Sequence, residues 1–233
     1  MLLHTALAAG ASVVAVAFTL ATFERWRARR EPHHLSWTVA FALFSAAAVC
    51  LWWGAADRWT GLLFRLFYLF GAIVNVPVLA LGTVYLVGRR RQADRAAIAV
   101  IAFCAFSAGV LVVAPWRHAV PPHRLPQGSE VFGPLPRVLA AVGSAVGAVV
   151  VIAGAAWSAF RDRRRVAANA LIVGGTLVLA AGGILNSAVG AMNAFALSLL
   201  AGVALLFVGF LAASAARDEE AFRPSLAEAT RRS

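Results

Sequence analysis

Residues 62–95 read LLFRLFYLFGAIVNVPVLALGTVYLVGRRRQADR. The first 27 of these, 62–88, carry a single charge, Arg65, and the last seven, 89–95, carry four arginines. A helix of that length spans ~40 Å, more than the ~30 Å hydrocarbon core of a bilayer. A membrane β-strand needs only about ten residues and alternates apolar with polar. This run is continuous and too long, so a spanning helix is the reading. The arginines that end it mark one membrane interface.

The pattern repeats in both directions. Apolar stretches lie at 3–23, 35–55, 96–114, 138–160, 168–186 and 193–216. Together with 62–88 they predict an all-α, polytopic membrane protein with seven transmembrane helices. Composition points the same way. Of 233 residues 61% are hydrophobic and 13% charged, where a soluble domain is nearer 45–50% and 25%. That is about 142 apolar residues, and seven spans of ~20 residues need ~140. A disordered chain, a soluble enzyme with one anchor and a large extramembrane domain are excluded.

The net charge is +11, and all 21 basic residues are arginine. Segments 24–34, 89–95 and 161–167 and the tail 217–233 hold four each, sixteen in all. The other five are Arg58, Arg65, Arg117, Arg124 and Arg137. This asymmetry predicts an N-terminus outside and a cytoplasmic C-terminus. It assigns the charge to topology rather than to nucleic-acid binding. No positive segment precedes the first apolar run, which predicts an uncleaved helix. The loop at 115–136 is rich in proline and is expected to be extended, with Phe132-Gly133-Pro134-Leu135-Pro136 folded back over the outer end.

Several chemistries close at this stage. Retinal needs a lysine for its Schiff base, and the chain has none. Bundle haem needs histidines within the membrane, whereas His4, His33, His34, His118 and His123 avoid span centres. The ten acidic residues all fall in loops or the tail, which counts against proton coupling. Neither His33-His34 nor His118, His123 and Glu130 has the spacing of a zinc signature, so no metal is expected. No nucleophile motif is visible, and no cofactor or catalytic residue is assigned. Cys50 and Cys104 lie at different depths, so no disulfide is expected.

The third span holds the candidate site. Arg65 lies about a turn from its outer end and reads either as snorkelling or as a contact to an anion. Pro77 cannot donate to the carbonyl of Ile73, which predicts a kink. That carbonyl and the Asn75 amide need partners near the midplane, as interhelical glue or as a polar pocket. Tyr68 is two turns above Asn75 on the same face. Gly143, Gly147, Gly174 and Gly182 are expected at close helix contacts. The tryptophans at span ends, Trp37 and Trp59 among them, read as interfacial belts.

The run Arg65–Ala72 followed by Asn75-Val76-Pro77, and the run Val131–Arg137, resemble a group of uncharacterised seven-helix integral membrane proteins of actinobacteria. The resemblance implies a multi-pass protein of the bacterial plasma membrane. A fainter likeness, in the aromatic-then-proline pattern of the third span, is to the seven-helix sensory regions of bacterial histidine kinases. This chain departs from them in ending ~17 residues after the last apolar run, without a kinase. The expectation is a sensor-like or accessory module that acts through a protein partner or a homo-oligomer within the lipid bilayer. The alternative is a small-solute transporter or lipid-handling protein without proton coupling.

Overall fold

The computed structural model describes residues 2–161, 166–189 and 194–212. Seven helices are long and apolar enough to cross a membrane. They are α1 Leu2–Arg29, α2 Pro32–Ala56, α3 Gly61–Val87, α4 Arg90–Val113, α5 Pro134–Arg161, α6 Val166–Val189 and α7 Ala194–Ala212. Where both sides of a helix end are described, caps rather than hydropathy steps set it. α2 starts with Pro32 at its first position, where the missing N–H costs nothing. α3 starts at Thr60, whose hydroxyl accepts from the Leu63 N–H at 3.3 Å. α1 closes through Arg30, a non-glycine residue in left-handed backbone (φ 52°), whose N–H reaches Trp26 O at 2.7 Å.

Helix neighbours follow a closed path. α1 lies on α2, α2 on α3, α3 on α5 and α5 on α6. α7 closes the ring through Leu200 against Gly10 of α1 and through Gly202 against α6. α4 is outside it: 11% of its apolar window is buried, against 50% for α2. Two apolar cores fill the ring. One, around Phe64, Ile73, Leu111 and Phe132, lies at the end carrying the proline-rich loop. The other, around Phe18, Phe41, Val203 and Phe210, lies toward the arginine-rich end.

The proline in α3 has a specific structural consequence. Residues Tyr68–Val74 form a π-helical turn. In the α register Pro77 would have to serve Ile73 O, and in the π register Ala72 O; it has no N–H for either. Ser144 Oγ of α5 donates to Ala72 O at 2.9 Å. Gly143 lets α5 come close enough, since a Cβ there would lie 2.9 Å from Ile73 O. One turn on, Gly147 sits against the backbone of Val76. Gly143 and Gly147 thus bring α5 against the distorted turn of α3.

In α6 the close approach is displaced by one residue. No described atom of another helix lies within 4 Å of a Cβ placed at Gly174. A Cβ at Gly175 would lie 2.8 Å from Gly202 O. A step of one residue rotates a helix by ~100°, so only one of two adjacent glycines faces the neighbour. Gly182, seven residues on, sits against Ser198 of α7.

The loop from 115 to 133 folds back over the bundle. The Trp59 N–H reaches Pro122 O at 2.9 Å, and the Arg117 N–H reaches Val131 O at 2.9 Å. Trp116 and Phe132 form an isolated antiparallel bridge. The loop is not extended throughout: Gly128–Val131 is a helical turn, seated on the ring of Tyr68.

Candidate functional site

The strongest candidate site is a cavity of about 80 Å³ on the axis of the ring. One water needs ~10–15 Å³ on this measure, so the space admits a small molecule. Six helices line it: Phe18 from α1, Trp37 and Phe41 from α2, Leu79 and Thr83 from α3, Gly154 and Ser158 from α5, Asn169 and Ile172 from α6, and Leu206 and Phe210 from α7. Helix spacing explains several of these neighbours. Leu79 and Thr83 are one turn apart on α3, as are Gly154 and Ser158 on α5. Gly154 brings α5 against the methyl of Thr83, and Gly82 leaves room for the Trp37 indole.

The walls are mostly aromatic and aliphatic. Phe18 stacks on Phe41 at 3.5 Å, and Phe210 meets Trp37 edge-on at 5.4 Å. Against this surface Asn169 stands out. It is 7% exposed, and among the described residues its Nδ2 has no hydrogen-bond partner. A buried amide without a partner costs ~1–3 kcal/mol, so an acceptor placed in the cavity gains correspondingly. The arrangement suits a small, mainly apolar molecule with one carbonyl, carboxyl or ether oxygen.

The two ends of the bundle differ. At the arginine-rich end a wider vestibule of about 410 Å³ is lined by Arg29, Glu31, Pro32, His33, Tyr85, Gly88 and Arg90, and it shares Leu86 with the cavity. At the loop end Phe132 stacks on Phe64 at 5.4 Å and on Trp116 at 5.2 Å, and tilts against Tyr68 at 5.0 Å. Trp59 completes that cluster, edge-on to Phe67 at 5.4 Å. These rings form an aromatic layer in the core at the loop end of the bundle.

The four candidate residues of the third span do not converge on one pocket. Arg65 turns to α4 and donates to three of its last carbonyls: Leu111 O, Val112 O at 2.7 Å and Ala114 O at 2.8 Å. Its guanidinium also lies 4.2 Å from the Trp116 ring centre. It caps the C-terminal end of α4. Tyr68 belongs to the aromatic layer. Asn75 and Pro77 are buried, but neither lines the cavity.

Two tryptophans leave the expected belts: Trp59 is core and Trp37 is cavity wall. The histidines of the loop do not gather either. His118 Nδ1 lies 2.8 Å from Glu130 O, and Arg124 holds the Glu130 carboxylate. The residues missed by inspection of the sequence are Thr83, Ser158 and Asn169. Each is a lone polar residue within an apolar run, and only the closure of the ring places them together. No known protein family, curated protein or solved structure matches the chain.

Proposed function

We propose that this protein is a ligand-binding membrane module of the sensor type. It lies in the bacterial plasma membrane with its N-terminus outside and its arginine-rich end in the cytoplasm. It binds a small amphipathic molecule in the axial cavity and passes the bound state to a protein partner or a second copy. The observation that carries this reading is the buried Asn169 Nδ2, without a hydrogen-bond partner among the described residues, in an apolar cavity shared by six helices. A ligand there touches nearly every helix, so its binding free energy can bias their relative positions.

A second reading, transport or lipid handling, is favoured by one feature. The vestibule and the cavity share Leu86, which gives the cavity an approach from the arginine-rich end. Transport then requires the aromatic layer of Phe64, Trp116 and Phe132 to open.

The test is native mass spectrometry of protein extracted in mild detergent. Wild type should carry an adduct of fixed mass. Ala155→Phe, which fills the cavity, should abolish it. Asn169→Leu should weaken it by roughly tenfold, the worth of one buried hydrogen bond, without loss of thermal stability. Identical adducts on all three proteins would remove the cavity from the account.

A further inference from the structure

At the cytoplasmic mouth the turn between α1 and α2 brings three metal-ligating side chains together. Glu31 lies just before α2, and His33 and His34 lie in its first turn. His33 Nε2 is 3.3 Å, and His34 Nε2 3.4 Å, from the same oxygen, Glu31 Oε2. One ligand atom from each of the three lies within 4.8 Å of the others. Both imidazoles are nearly buried, with side-chain exposures of 9% and 4%, while Glu31 is 46% exposed.

We propose that Glu31, His33 and His34 form a binding site for a divalent transition-metal ion of the zinc class. The distances are those of a coordination polyhedron. Zinc holds imidazole nitrogen and carboxylate oxygen at about 2.0–2.2 Å, and a tetrahedron of that size has edges of about 3.3–3.5 Å. Two edges of the triangle already have that length. Two nitrogens and one carboxylate oxygen suit Zn²⁺, Co²⁺ or Ni²⁺ and not Ca²⁺ or Mg²⁺, which take all-oxygen shells. Three protein ligands leave a fourth position for water or an anion, as in open zinc sites. Glu31 and His33 also line the vestibule, so that position is reachable from the arginine-rich end.

The cluster abuts the cavity. His33 and His34 meet Trp37 edge-on at 5.2 and 5.9 Å, and Trp37 is a cavity wall. A bound ion fixes both rings and so steadies that wall. The positive N-terminus of α2, with Arg29 and Arg90 nearby, opposes a cation, and the Glu31 carboxylate offsets this. Affinity is therefore expected to be moderate and to rise when an anion takes the fourth position.

The test uses the full chain, purified without a histidine tag, stripped with chelator and titrated with Co²⁺. The expected result is one equivalent bound, with the intense visible bands of a four-coordinate ion. Zn²⁺ should displace it and raise the thermal midpoint. His34→Gln and Glu31→Gln should each weaken binding by about a hundredfold, and the His118→Ala/His123→Ala variant should bind like wild type. Size-exclusion profiles of the metal-free variants check the fold. Absence of saturable one-to-one binding, or equal binding by the Glu31→Gln/His33→Gln/His34→Gln variant, overturns the proposal. So does an ion that follows His118 and His123 instead.

Discussion

Arg65 shows how one side chain decides between readings that its position leaves open. Near the end of an apolar helix, an arginine can snorkel, meet an anion or find carbonyls. Here it finds three carbonyls at the end of α4 and the face of Trp116. α4 is the helix that the ring does not enclose, so this anchor ties it to α3. Arg65→Ala is expected to lower stability by about 1–3 kcal/mol, the range for hydrogen bonds from a charged group with a helix end. Arg65→Lys should recover only part, since one ammonium cannot reproduce the planar fork. Thermal unfolding in detergent checks both; a full rescue by lysine would contradict the capping role. Asn169 is the complementary case. Among the described residues its Nδ2 has no hydrogen-bond partner, so Asn169→Leu should leave the ligand-free protein at least as stable as wild type.

Between helices, α3 and α5 are matched through one defect. Pro77 removes a donor, the preceding turn widens to the π register, and Ser144 supplies the missing hydrogen bond to Ala72 O. The two residues should therefore be coupled. Ser144→Ala alone is expected to cost about 1 kcal/mol. In a Pro77→Ala background the regained N–H can serve the carbonyl, and the same change should cost much less. A double-mutant cycle on thermal stability measures this, and strictly additive effects would sink the assignment. The glycines make the matching contrast in α6. Gly175→Val should be severely destabilising because Gly202 O lies in the way, while Gly174→Val should be tolerated. Equal losses at the two positions would show that the interface is rotated from the one described.

For the whole molecule, the spans were legible because desolvating a backbone in lipid demands long apolar helices, and arginine clusters mark alternate connections between them. Pro77 also announced a distortion, though not that it would become a π turn closed by Ser144. The cavity was not legible. Its polar residues, Thr83, Ser158 and Asn169, come from three helices, and no spacing along one helix relates them. The Gly174 and Gly175 pair shows the same limit, since both carry the same signal and helix rotation chooses between them. His33 and His34 match no zinc spacing, yet the first turn of α2 brings both imidazoles to one oxygen of Glu31. Orientation belongs to this scale as well. A phosphatase reporter inserted between residues 118 and 124 should be active outside the cell, and one fused after Arg91 should be inactive. The reverse pattern would invert the proposed topology.

The central claim is a cavity on the bundle axis, entered from the arginine-rich end and covered at the loop end. Cysteine accessibility tests it most directly. In a Cys50→Ala/Cys104→Ala background, Ser158→Cys should react with a small, charged methanethiosulfonate reagent applied to inside-out vesicles. It should resist the same reagent applied to right-side-out vesicles, and Ala155→Phe should block the reaction. Equal reactivity from both sides, or none from either, would contradict the account.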